Sequence, residues 1–200
     1  MAKIIQFSAN PTPEKFGPQR ARRTKEGKEG KKPGQLNLFT GGKVVKLNQL
    51  STFEEALMLD DQGDRNTARI RYQKAIEQQD SIADAYCNLG ILEWQDNNTT
   101  KAIDYFTLAL KHEPRHYEAH YNLANLFAEV GNFGLAKVHY AISMEIEPTF
   151  FNCYFNLGLT LAMNKEYSEA VNILNKYRDL TPGEDHRQTD DLIMKLSGLL

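Results

Sequence analysis

Asn88, Asn122 and Asn156 stand at a constant step of 34 residues. Each carboxamide carries two N–H donors and a carbonyl acceptor. A row of them could pair with the N–H and C=O groups of an extended peptide, holding a main chain without reading its side chains. The same amides could instead tie neighbouring helices together. Both uses need the three side chains on one side of a regular array.

Other residues with chemical potential lack the company that chemistry requires. His112, His116 and His120 look like a ladder, but Pro114 breaks the helix between them. No Cys or carboxylate stands at ligand spacing to complete a tetrahedral metal site. Packing or solvent-facing roles are expected for these histidines. Cys87 and Cys153 have no base at a motif spacing. Phosphate-cradling, dinucleotide-binding, zinc-protease and nucleophile-elbow motifs are all missing. Neither enzymatic activity nor a cofactor nor a metal is expected.

The elements that position the asparagines repeat with the same step. Leu89, Leu123 and Leu157 follow it, as do Gly90, Ala124 and Gly158, then Ala102, Ala136 and Ala170. Pro114, Pro148 and Pro182 close the periods. A fixed step of this length marks a stack of one supersecondary unit. Apolar residues recur at helical spacing in two stripes per period, separated by polar turns. Helices are expected over 83–95 and 99–112, over 117–130 and 133–145, and over 151–163 and 167–180. The breaker runs Asp96-Asn97-Asn98, Gly131-Asn132 and Asn164-Lys165-Glu166 lie between them. The small residues at 90, 124 and 158 and at 102, 136 and 170 are expected where paired helices approach most closely. A last amphipathic helix, about 189–199, would cover the end of the stack with Leu192, Ile193, Leu196 and Leu199.

Composition sets outer limits. The chain has 200 residues, 41% hydrophobic and 25% charged. No apolar run is long enough to span a bilayer, the start lacks the apolar region of a secretory signal, and two cysteines imply no disulfide framework. A cytoplasmic protein without membrane contact is expected. The charge is split: residues 1–48 carry 11 basic and 3 acidic side chains, net +8, and residues 49–200 are net −10. Residues 9–42 are rich in Pro, Gly, Lys and Arg, so a disordered basic tail is expected over 1–48.

The repeats resemble the tetratricopeptide family. One copy reads Tyr86, Leu89-Gly90, Ala102, Phe106, Ala109, Pro114; the next His120, Leu123-Ala124, Phe127, Ala136, Tyr140, Ser143, Pro148; the last Tyr154, Leu157-Gly158, Leu161, Ala170, Leu174, Tyr177, Pro182. A weaker first copy keeps Gly63, Ala68, Tyr72 and Ala75 but has Asp80 in place of Pro. The resemblance implies an all-α, right-handed helix-hairpin solenoid of about four units, 49–82, 83–116, 117–150 and 151–184, with a capping helix over 185–200. It also implies a protein-interaction scaffold whose concave face, lined by the first helix of each unit, holds an extended peptide. In that register the groove residues are Asn88, Ile91, Trp94, Tyr121, Asn122, Asn125, Phe155, Asn156 and Leu159, with Phe53, Leu57 and Cys87 beside them. Asp60, Asp61, Asp84, Glu118 and Glu129 flank them, favouring a neutral or basic partner peptide. A similar asparagine ladder marks the repeats of O-linked N-acetylglucosamine transferases. Chaperone-binding members use a basic clamp for a terminal carboxylate; here Cys87, Asn152 and Asn156 stand where bases would be needed, and only Asn122 matches.

The tail offers rival readings. Gln35-Leu36-Asn37-Leu38-Phe39 resembles the short motif by which bacterial translesion polymerases and repair proteins bind the replication sliding clamp. Leu38-Phe39 would fill an apolar pocket, or the three apolar residues could shield the first repeat. The basic run from Arg20 to Lys25 could contact nucleic-acid phosphates, keep the tail soluble, or fold back on the acidic domain. A DNA-metabolism accessory factor tethered through the tail is therefore the alternative to groove binding.

Overall fold

The structure is a computed structural model describing Arg20, Ala21 and residues 50–200. Among these residues lie nine helices: α1 Thr52–Asp61, α2 Arg65–Glu77, α3 Ile82–Gln95, α4 Thr99–His112, α5 Tyr117–Glu129, α6 Phe133–Ile146, α7 Phe151–Met163, α8 Tyr167–Leu180 and α9 Arg187–Ser197. The bounds of α3 to α9 fall within two residues of those read from the sequence, the usual spread at fraying helix ends. The clamp-like pentapeptide Gln35–Phe39 and most of the basic run lie outside the described residues.

Each helix packs chiefly on its neighbours in sequence, and α3–α5 and α5–α7 also touch. Four antiparallel hairpins, α1/α2, α3/α4, α5/α6 and α7/α8, therefore stack with their first helices side by side. This is an all-α helix-hairpin solenoid, closed by α9 against α8. Leu196 is buried in the last core cluster, and Leu192 and Ile193 pack at its edge. Leu199, expected on the same face, lies beyond the helix and is exposed, because α9 stops before Gly198.

Helix starts and stops follow local chemistry. Ser51 and Glu54 form a reciprocal capping box on α1, Glu54 N donating to Ser51 Oγ at 3.2 Å and Ser51 N to Glu54 Oε2 at 2.7 Å. Asp64 and Asn132 cap α2 and α6 one-sidedly, their side chains accepting from Thr67 N and Leu135 N. The hairpin turns place Gly63, Asn97, Gly131 and Lys165 in the left-handed region, with φ of 85°, 61°, 78° and 64°. These four positions also keep the 34-residue step. In each turn the following N–H donates five residues back, as in Asn132 N to Phe127 O at 2.8 Å, which closes the helix end. Asp80, standing where other copies have Pro, takes a different role: its Oδ2 accepts from Phe53 N at 2.8 Å and ties the α2–α3 connection to the start of α1.

The helices of a hairpin meet through the small residues. A Cβ on Gly90 would lie 2.7 Å from Phe106 Cε1, and one on Gly158 would lie 2.6 Å from Leu174 Cδ2. Ala102, Ala136 and Ala170 are fully buried opposite. This close approach holds α3, α5 and α7 in line, so that their inner faces form one wall.

Candidate functional site in the concave wall

The expected groove residues divide into three groups. At the amino-terminal end, Asn88 pairs with the main chain of Ala21. Its Oδ1 accepts from Ala21 N at 2.9 Å and its Nδ2 donates to Ala21 O at 3.1 Å. The same Nδ2 donates to Tyr72 Oη at 3.2 Å, and Tyr72 Oη donates to Asp60 Oδ2 at 3.3 Å. Asp60 and Asp61 receive the Arg20 guanidinium at 2.8 and 2.7 Å. Burial pushes the Asp60 carboxyl above its ordinary range, and the Arg20 charge opposes that push. Ile91 and Cys87 pack in one buried cluster with Ala21. Arg20 and Ala21 thus lie in order within a stretch expected to be disordered, held by a buried carboxylate and a two-point amide contact.

In the middle, Asn122 Nδ2 contacts Cys87 Sγ at 3.5 Å, which links α5 to α3. Tyr121 and Phe155 lie within the last core cluster. The Tyr121 ring meets Phe150 edge-on at 4.8 Å, and Phe155 lies 5.2 Å from Tyr177 of α8. Sequence register puts both on the first helices; packing turns Tyr121 toward the junction with the next hairpin and Phe155 toward α8 of its own hairpin.

At the carboxy-terminal end, Asn156 Nδ2 donates to Tyr121 Oη and to Asn125 Oδ1, each at 2.8 Å. Tyr140 Oη also donates to Asn125 Oδ1. These bonds leave Asn125 Nδ2 and Asn156 Oδ1 without a partner, on residues only 8% and 4% exposed. Reversing both amides would exchange the two roles and still leave one donor and one acceptor. Both residues line a pocket of about 200 Å³ with Trp94, Ala128, Glu129, Tyr140, Leu159, Thr160 and Met163. Trp94 Nε1 donates to Glu129 Oε2 at 2.8 Å across its rim. Ala128 and Met163 stand one repeat step beyond Trp94 and Glu129, so the register itself could have found them, whereas Thr160 had no such marker.

The histidines go to separate places. His112 stacks on Tyr86 at 5.5 Å. His116 is buried and caps α5, Nδ1 accepting from Ala119 N at 3.2 Å, while Nε2 faces Asp84 Oδ1 at 3.1 Å. Burial pushes its pKa down, but Asp84 and Glu118 outweigh burial and hold it above the ordinary value. Asp84 and Glu118, expected as groove flanks, are therefore occupied at this helix junction. His120 and His139 face each other, Nδ1 to Nδ1, at 2.9 Å. Among the described residues no group of three His, Cys, Asp or Glu side chains could hold a metal ion. Cys87 and Cys153 are free and buried; burial pushes the Cys87 thiol up, and that of Cys153 to about 12.

Stacked antiparallel hairpins of this kind define the class of helical-repeat solenoids. Residues 53–111 match the family model described as Tetratricopeptide repeat, and the same hairpin architecture continues beyond that match through α8. Similar solved structures include pilF of Pseudomonas aeruginosa, at 20% identity and TM-score 0.66, covering 74% of this chain and 68% of that one. The TPR2B domain of yeast Sti1 in complex with a pHsp70 segment matches at 22% identity and TM-score 0.55, over 59% of this chain and 98% of that one. The first such domain of Spaghetti (RPAP3), bound to the HSP90 peptide SRMEEVD, matches at 16% identity and TM-score 0.54, over 58% and 91%. Among the described residues no helix is long and apolar enough to cross a membrane.

Proposed function

We propose that the protein is a non-catalytic scaffold whose concave wall binds an extended, neutral or basic segment of a partner protein. The observation that carries this reading is the unspent pair at Asn125 Nδ2 and Asn156 Oδ1. Buried polar groups are nearly always hydrogen-bonded, and each orphan costs about 1–3 kcal/mol. A small turn of the two carboxamides toward the pocket they line would let one peptide group supply the complementary acceptor and donor together. Trp94, Leu159 and Met163 beside it suit an aliphatic side chain of the same segment.

Neighbouring folds that hold chaperone peptides support peptide binding in general, but not that ligand. SRMEEVD ends in acidic residues, whereas residues 49–200 of this chain are net −10 and offer Cys87, Asn152 and Asn156 in place of a basic clamp. Opposite charge steers association and rejects the wrong partner. The alternative, a tether to the sliding clamp or to nucleic acid through the tail, rests on residues outside those described.

The test is selection of displayed random peptides on the full-length protein, followed by binding measurements with single variants. Met163 is 50% exposed, so Met163→Lys should leave the fold intact while placing a charge at the pocket. Selected peptides should bind at least tenfold more weakly to Met163→Lys and to Asn125→Ala. Peptides that bind these variants as tightly as wild type would remove the pocket from the function.

A further inference from the structure

The amino-terminal end of the wall already has an occupant, and the occupant is the chain itself. We propose that the segment at Arg20–Ala21 is an internal ligand of the groove, so that a partner reaches the α1/α3 end only by displacing it with an arginine followed by a small residue. The inference rests on the reading of the concave wall as a peptide site, but uses a different part of it.

Three features say what that end accepts. Asp60's carboxylate is fully buried, and Arg20 Nη2 meets it at 2.8 Å; Nη1 reaches the partly exposed Asp61 at 2.7 Å. A buried carboxylate stripped of its counter-ion is strongly unfavourable, so this position demands a cation from whichever segment lies there. Arginine suits it because one planar guanidinium can address both carboxylates. Next, the Ala21 side chain is fully buried in one cluster with Cys87 and Ile91, so a bulky side chain there would have to displace its neighbours. Last, Asn88 takes the N–H and the C=O of the same residue, a contact open to any main chain. Tyr72 links the two recognitions, donating to Asp60 and accepting from Asn88, so the cation site and the backbone site act as one unit.

The chain's own segment has the advantage of tethering. Arg20–Ala21 belongs to the same polypeptide as α1, with 28 residues between Ala21 and Leu50. A tethered ligand acts at an effective concentration on the order of millimolar. A free peptide of equal intrinsic affinity therefore competes poorly until the tethered one is disabled.

The probe is a fluorescein-labelled peptide with the sequence of residues 14–27, followed by fluorescence anisotropy against the full-length protein. Arg20→Glu combined with Ala21→Trp in the protein reverses the charge and overfills the small site, yet changes no helix residue. The proposal expects the peptide to bind this variant at least tenfold more tightly than wild type. Adding Asp60→Asn to the same variant should return binding to the wild-type level, and a scrambled peptide of equal charge should bind no better than that. Equal affinity for wild type and variant, no binding to either, or indifference to Asp60→Asn or to scrambling would each overturn it. Circular dichroism and thermal melts of each variant establish that the fold is retained. Met163→Lys leaves this end unaltered, so failure here and failure of the carboxy-terminal pocket can be told apart.

Discussion

Replacing Gly158 by Ala tests the packing that aligns the wall. In an open helix this change is favourable by about 1 kcal/mol, since Ala has the higher helix propensity. Here the new Cβ would lie 2.6 Å from Leu174 Cδ2 and 2.7 Å from Leu174 Cγ, where ordinary contact begins at 3.4 Å. Leu174 is fully buried, and its Cγ sits close to the α8 backbone, so a rotamer change alone cannot clear the space. The two helices must separate by several tenths of an ångström. Overpacking of this kind costs typically 1–3 kcal/mol, which leaves a net loss of about 1 kcal/mol. Gly134→Ala in α6 is the control: its Cβ would meet only Asn132 Oδ1, at 3.9 Å, so the propensity gain should survive. Urea unfolding of both full-length variants should give shifts of opposite sign. In a domain of this size a 1 kcal/mol change moves the melting temperature by about 2–4 °C. A Gly158→Ala protein as stable as wild type, or more stable, would refute the close approach of α7 and α8.

Three further outcomes follow from local geometry. Lys165 holds φ 64° at a turn position where two other repeats have Gly; Lys165→Gly should stabilise the protein by about 1 kcal/mol in urea unfolding, against a loss if the turn were right-handed. Burial, then the neighbouring His120, holds the His139 pKa down to about 4. The folded state therefore keeps His139 neutral while the unfolded chain takes up a proton below about pH 6.5. Stability should fall as pH drops from 6.5 to 4, by on the order of 1–2 kcal/mol for this group, and His139→Gln should lessen the fall; equal acid sensitivity of both proteins would contradict the pairing. Trp94, the single tryptophan, should shift its emission when a selected peptide enters the pocket, and unchanged emission at saturation would place binding elsewhere.

The repeat made much of the fold legible. Breakers at 96–98, 131–132 and 164–166 marked turns because a left-handed residue must close each helix end, and Gly or Asn accepts that conformation most easily. Helical periodicity placed Asn88, Asn122 and Asn156 on the first helices. It could not say what each amide touches, because that depends on residues tens of positions away. Asn122 lies against Cys87, and Asn156 spends its donors on Tyr121 and Asn125. The charge split pointed to a meeting of basic and acidic parts. Nothing local marked Arg20 and Ala21 within their basic run, since their partners are Asp60, Asp61 and Asn88. The His120–His139 contact was hidden for the same reason: it joins two helices at unrelated spacing.

The most direct test of the central claim is a titration of the isotopically labelled full-length protein with a peptide selected on it, following the side-chain amides by nuclear magnetic resonance. The account predicts the largest shifts at the Asn125 and Asn156 carboxamides and at the Trp94 indole, which face the same pocket. Shifts confined to α2, α4, α6 and α8, with those three groups unmoved, would contradict it.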